Sequence, residues 1–262
     1  MILRDLANLS RRYELLLMLV WRDIRIRYKQ TVMGFLWAVL MPSVIVGAGA
    51  IVRLAVARYT NAAVNINDIH SVMVRAVAWS FVLSGIRFGT NSLLANVSLV
   101  TKLAFPKEVF PIAAMLSSLF DFSVATVAIG VVLLVTGWVP SMTVLWTLPL
   151  LIVLIALTTG LALFLSAANL FFRDVKYLVE IFLTYAIFFT PVLYDVSMLG
   201  KWGAYALLNP IAPVLEGLST AVVFHGQPDL AWIGYSAIFS LLLLAAGYWI
   251  FKQAEAKFAE NI

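Results

Sequence analysis

The sequence predicts an all-α polytopic membrane protein. We expect six transmembrane helices, an N-terminal amphipathic interface helix, and two short re-entrant helices before the last span. Hydrophobic residues make up 63% of the chain and charged residues only 12%, against about 25% charged in an ordinary soluble domain. No Asp, Glu, Lys or Arg occurs from Phe122 to Phe172. The apolar runs are continuous and reach the roughly 20 residues that cross a hydrocarbon core as helix, whereas barrel strands would alternate.

The elements follow in order. Over residues 3–29, Leu3, Leu6, Leu9, Tyr13, Leu16, Leu17, Val20 and Ile24 recur at helical spacing, with Arg4, Arg11, Arg12, Arg22 and Arg25 between them. Such a helix lies in the membrane interface or packs on its own protein. The run Leu15–Trp21 is short and lacks a cleavage site, so no cleavable signal peptide is expected. Residues 1–31 therefore form one unit and 32–262 a single transmembrane domain.

The spans expected are about 32–52, 76–100, 109–136, 144–170, 177–194 and 230–251. Residues 53–75 carry Arg53, Arg58, Asn61, Asn65, Asn67, Asp68, His70 and Arg75 and read as a polar loop. GWVP at 137–140 supplies a turn. Residues 195–229 hold two apolar pieces, 202–208 and 212–223, broken by Asn209-Pro210 and Pro213. Two short helices dipping into the membrane from one side fit this pattern, because irregular backbone at that depth must be buried or line a cavity.

Lys and Arg set the orientation. With the N-terminus inside, the inner segments hold thirteen and the outer segments four, namely Arg53, Arg58, Arg75 and Lys201. Positive residues concentrate on the cytoplasmic side, so both termini are expected there. Seven basic residues lie in the first 29 positions, beside the first span, where they meet anionic headgroups rather than nucleic acid.

Several chemistries lack their residues. Cysteine is absent, so neither disulfides nor thiolate sites arise. No phosphate loop, H-E-x-x-H or G-x-S-x-G occurs. His70 and His225 have no partners at metal-ligand spacing, and no metal site is expected. Arg87 and Asp121 fall within spans, where a charge costs about 2.5–3.5 kcal/mol and needs a partner or water. They read either as a mutual ion pair or as the lining of a conduit. The eight tryptophans sit mostly near span ends, as an interfacial belt or as stacking platforms for sugar. Gly47, Gly49, Gly130 and Gly160 permit close helix approach.

Four stretches then occur in order: RDIRIRYKQTVMGFLWAVLMP (22–42), LVTKLAFPKEVFP (99–111), NLFFRDVKYLVEIFLTYAIFFTPVLY (169–194) and LNPIAPVLEGL (208–218). Together with the tail FKQAEAKFAEN (251–261), they resemble the permease subunit of type-2 ABC exporters for cell-surface polysaccharide, a family serving O-antigen, teichoic acid and capsule. The likeness covers essentially the whole chain. It implies a homodimer in the bacterial inner membrane with two copies of an ATP-binding cassette subunit, which binds ATP and magnesium. This chain would hold no cofactor. Lipid-linked glycan would pass outward through a channel at the dimer centre.

On that resemblance, Thr101, Lys102, Phe105, Pro106, Lys107 and Glu108 belong to the element that couples to the ATPase. Trp202, Tyr205, Asn209, Pro210, Pro213 and Glu216 belong to the outer gate. Arg173, Asp174 and Lys176 form a cytoplasmic elbow, in which Arg173 and Asp174 pair with each other, cap the next helix or dock the N-terminal helix. The FFRDV elbow favours the O-antigen and teichoic-acid branches over capsule. The alternatives are a type-2 permease for a drug or another lipid, a membrane-embedded glycosyltransferase or hydrolase, and a secondary transporter, for which no internal repeat is seen.

Overall fold

The computed structural model describes residues 13–29, 31–60, 65–102 and 106–258. The chain begins with α1 (Tyr13–Tyr28), followed by α2 (Leu36–Thr60) and α3 (Ile66–Asn91). A 3-10 turn at Leu94–Asn96 leads into the short α4 (Val97–Lys102), and α5 covers Val109–Val135. A second 3-10 turn, Met142–Trp146, precedes α6 (Thr147–Phe171) and then α7 (Val175–Phe189). The 3-10 segment Val196–Trp202 runs into α8 (Gly203–Leu207), α9 (Ala212–Val222) and finally α10 (Leu230–Glu255). No strand occurs among the described residues. The first ten residues of the amphipathic stretch, 3–12, lie outside them.

Among the described residues, five helical segments are long and apolar enough to cross a membrane: Leu36–Tyr59, Ile66–Asn91, Val109–Val135, Met142–Phe171 and Leu230–Glu255. Three of the expected spans, at 109–136, 144–170 and 230–251, agree closely with these. The other three need correction.

The first span runs on to Thr60 and the second begins at Ile66, ten residues before its expected start. The expected loop at 53–75 is therefore mostly helix. Asn65 starts α3, its side chain accepting from the Asn67 amide (3.1 Å) while the Asp68 carboxylate accepts from the Asn65 amide (3.3 Å). This reciprocal arrangement satisfies amides that a helix start leaves without partners. Arg53 and Arg75, which lower the hydropathy of the segment, are 5% and 1% exposed and are neutralised by acidic residues far along the chain.

The fifth span, expected at 177–194, is represented by α7, whose 15 residues end at Phe189. At 1.5 Å per residue such a helix measures about 22 Å, short of a hydrocarbon core of about 30 Å. Val179, Leu183 and Ala186 are its buried face, while Tyr177, Ile181, Phe182, Tyr185, Phe188 and Phe189 are exposed. The two short helices expected in 195–229 are present as α8 and α9. Pro213 sits in the first turn of α9, where a missing amide proton costs nothing.

Helix α3 lies at the centre, packed on α2, α5, α6 and α9, and α6 packs most extensively on α10. One apolar core surrounds Trp79, Phe81, Val82, Leu150, Leu154 and Leu215. A second, at the end of the bundle bearing Lys102 and Val109, joins Leu19 of α1 to Val100, Phe110, Leu170, Phe251 and Phe258. We call this end proximal and the opposite one distal. At the distal end, α5 closes with Gly137 at φ +88°. The Trp138 amide reaches the Leu133 carbonyl (2.9 Å) and the Gly137 amide that of Leu134 (3.2 Å), a left-handed helix stop that suits glycine.

Of the glycines expected at close helix contacts, Gly49 meets Val72 and Gly160 meets α10, whereas Gly47 and Gly130 have open space around them. A Cβ on Gly160 would stand 2.8 Å from the Leu244 backbone, and one on Gly247 would collide with the Gly160 carbonyl. Gly160→Val should lower the thermal midpoint of the detergent-solubilised protein, by overpacking that costs about 1–3 kcal/mol. Gly130→Ala should leave it unchanged or slightly raised, because alanine favours a helix interior over glycine.

Candidate functional site

A cavity of about 590 Å³ lies among α1, α2, α3, α5 and α7. Its walls are largely apolar and aromatic, with Trp37, Trp79, Phe81, Phe88 and Phe122 among them. Its polar groups include Arg27, Tyr28, Ser80, Arg87, Asp121 and Thr184. The Trp79 indole N–H and the Ser80 hydroxyl, both buried, have no hydrogen-bond partner among the described residues. Pro42 also lines the cavity. Having no N–H, it leaves the Ala38 carbonyl, four residues back in α2, without its usual donor. Polar capacity facing an otherwise apolar space is what binds and orients an amphiphilic occupant.

Arg87 and Asp121, read as either a mutual ion pair or the lining of a conduit, both line this cavity and do not pair with each other. Asp121 instead accepts from Arg27, by an ion pair, and from the Tyr28 hydroxyl at 2.5 Å. Burial and the adjacent Asp121 carboxylate raise the Tyr28 phenol well above its ordinary pKa, so it stays a donor. The Arg27 guanidinium also lies 3.9 Å over the Phe88 ring. Arg87 pairs with Glu180 of α7 at 2.7 Å, both half-exposed. The mutual pairing is absent because nearer counter-charges come from Arg27 of α1 and from Glu180, which lies within the fifth apolar run.

Through Asp121 and Ser117, whose hydroxyl reaches the Val20 carbonyl at 3.4 Å, α1 is packed on α5. Leu19 and Ile24 are buried, while Tyr13, Leu17, Met18 and Trp21 remain exposed on the other side. One apolar stripe of the amphipathic helix thus faces the protein and another is left open. The tryptophan belt needs one correction, since Trp79 is 1% exposed in the central core.

At the distal end a network of buried charge fastens the short helices. Arg75 pairs with Asp195 at 2.6 Å and with Glu216 at 3.0 Å, and donates to the Tyr194 carbonyl at 2.8 Å. Arg53 pairs with the second Asp195 oxygen at 2.6 Å. Glu216, expected as a gate residue, is therefore tied to α3. The Asn209 amide donates to the Thr190 hydroxyl (2.9 Å), and its oxygen accepts the Ile211 amide (3.1 Å). The Pro210 carbonyl accepts from Ser236 of α10 at 2.8 Å. Trp202 and Tyr205 are exposed, with ring centroids 5.5 Å apart.

At the proximal end, Phe105 and the Lys102 side chain lie outside the described residues. Thr101 is exposed on α4. Lys107 follows Pro106 and leads to Glu108, which is 1% exposed and paired with Lys252 of α10 at 2.8 Å.

Among the described residues the elbow charges show neither the mutual pairing nor the helix cap expected of them, and residues 3–12 of the helix they were expected to dock lie outside those residues. Arg173, Asp174 and Lys176 are all exposed, and Arg173 and Asp174 form no ion pair among the described residues. Asp174 begins α7 without a side-chain cap. Lys176 lies 4.7 Å over the Tyr177 ring. The elbow is held by Asn169, fully buried, whose amide donates to the Thr90 carbonyl and whose oxygen accepts the Lys176 amide, each at 3.1 Å. An uncharged polar residue closing an apolar run was the signal available in the sequence.

Comparison with known proteins matches residues 14–223 to the family described as ABC-2 type transporter. The chain belongs to the ABC-2 type transporter family. It is 30% identical over 256 residues to the O-antigen export system permease protein RfbA of Myxococcus xanthus, covering 95% of each chain. It is 27% identical over 261 residues to the RfbA permease of Klebsiella pneumoniae, covering 97% of this chain and 96% of that one. As an ABC-2 family member it is the membrane-embedded subunit of a transporter, not an enzyme, and works with an ABC ATP-binding partner.

Removing one member of a buried pair strands the other charge, at about 3–5 kcal/mol. Arg75→Ala should therefore lower the thermal midpoint of this ABC-2 protein sharply. Arg87→Ala, at a half-exposed pair, should lower it much less, and comparing the two melts in one detergent checks this.

Proposed function

We propose that this chain is the channel-forming subunit of an ATP-driven exporter of lipid-linked polysaccharide, with an O-antigen type favoured. Transport would run from the cytoplasmic to the outer side of the inner membrane. The carrying observation is the similarity, over nearly the whole chain, to permeases named for O-antigen export. Two copies assemble with two ATP-binding subunits, and ATP and magnesium are held by those partners. This chain has no phosphate loop, so the energy for transport must arrive through contact.

The contact element is 101–108, with Thr101, Lys102, Phe105, Pro106, Lys107 and Glu108. Its position next to the second apolar core supports this reading, since force applied there meets a packed base. The excess of Lys and Arg in the sequence segments expected on the inner side supports a cytoplasmic placement for it and for both termini. In this reading α7 and the turn at 190–194 make the fifth of six membrane passages. Helices α8 and α9 form a re-entrant gate on the outer side, with Trp202, Tyr205, Asn209, Pro210, Pro213 and Glu216. The cavity, with its aromatic walls and its Arg27 and Arg87, lies on the route of the glycan carrier.

The test is reconstitution in vesicles with the ATP-binding subunit. Co-purification and ATP-dependent movement of lipid-linked glycan are expected. Glycan movement by this chain alone would overturn the proposal, and ATP-dependent movement of a drug or unglycosylated lipid in its place would correct the substrate. Lys107→Glu should leave membrane insertion intact while reducing export at least about tenfold, a loss equivalent to about 1.4 kcal/mol of coupling; export and membrane abundance are measured on the same cells.

A further inference from the structure

The end of the last helix is bound to the start of α5 by a closed circuit of charge. The Lys252 ammonium lies 2.8 Å from the Glu108 carboxylate and 2.9 Å from that of Glu255. The other Glu255 oxygen accepts the Lys107 backbone amide at 3.0 Å. Just past the helix end, fully buried Phe258 lies between the rings of Phe251 (5.2 Å) and Phe171 (6.0 Å), and the Lys107 ammonium lies 5.7 Å over it. The two sides of this circuit are more than 140 residues apart in sequence. A buried ion pair is poor evidence for stability alone, because burying the charges costs what their attraction returns. What such a pair does is fix orientation, and here it fixes 107–108 against α10.

The backbone at 106–108 is a turn whose Pro106, Lys107 and Glu108 carbonyls accept long hydrogen bonds from the Val109, Phe110 and Ile112 amides (3.4, 3.3 and 3.2 Å), which ties it to the first turn of α5. A displacement applied there is not absorbed locally. It passes along α5 and, through Lys252 and Glu255, into α10. That helix in turn meets α6 with no slack, where Gly160 and Gly247 bring the two backbones together.

We infer that Lys252 and Glu255 are positioning residues for the coupling element, making α10 with α6 a second lever driven by the ATP-binding partner. The inference rests on the reading of 101–108 as the contact element. Lys252→Met in the full complex should let ATP hydrolysis continue while transport per ATP falls at least about tenfold, since the stranded Glu108 lets the turn shift. Lys252→Arg, which keeps the charge, should retain most of the ratio.

The chain has no cysteine, which allows a second variant independent of folding effects. Glu108→Cys with Lys252→Cys should be uncoupled when free, recover transport when bridged by a short bis-methanethiosulfonate linker, and lose it again on reduction. A normal transport-to-ATP ratio in Lys252→Met, or a ratio that bridging does not restore, would overturn the inference. Lys107→Cys should cross-link to the ATP-binding subunit. Failure of that cross-link would remove the contact reading and the inference together, whereas cross-linking with an unchanged ratio in Lys252→Met removes the inference alone.

Discussion

The distal half of the structure depends on Asp195. Its two oxygens are held by Arg53 of α2 and Arg75 of α3, both almost wholly buried. Because Arg75 also pairs with Glu216 of α9, one carboxylate joins two long helices to the segment that breaks the apolar pattern of the chain. Were Asp195 absent, Arg53 would keep as carboxylate partner only the longer Asp68 contact at 4.0 Å and Arg75 only Glu216, a larger penalty than the loss of a surface pair. The continuation of α2 to Thr60 and the early start of α3 follow from this, since the charges that would otherwise end a buried helix are neutralised in place.

The proximal end solves a different problem by similar means. There the buried group is Glu108, answered by Lys252, with Glu255 closing the circuit onto the backbone. Both ends are thus locked by ion pairs between distant segments, while the middle is held by apolar packing around α3 and by small residues at the α6–α10 crossing. The cavity lies between these regions, where α1 and α7 bring Arg27 and Glu180 to the bundle.

Much of the candidate site was legible. Asp121 and Arg87 were singled out because a charge within an apolar run must find a partner, and both line the cavity. Asn209-Pro210 marked the break between α8 and α9 through backbone chemistry that is local. Their partners were not legible. Arg27 lies 94 residues from Asp121, and Asp195 lies 120 residues from Arg75. Pairing over such distances leaves no periodic trace, and a hydropathy count scores Arg53, His70 and Arg75 as if they faced water. Asn169 was passed over because a neutral residue draws no notice beside Arg173, Asp174 and Lys176, although it is the one that fastens the elbow.

By itself the sequence determined that the chain is helical and membrane-embedded, where most of its long helices lie, and where Gly137 and Asn209-Pro210 interrupt it. Those properties are set by residue chemistry within a few turns of helix: apolar run length, fixed or freed φ, and missing amide protons. Only the tertiary structure decided which charge answers which, where α2 ends and α3 begins, and how short α7 is. Those depend on electrostatic and packing terms summed over segments that meet in space alone, and in an apolar bundle such terms are strong enough to override the local signal.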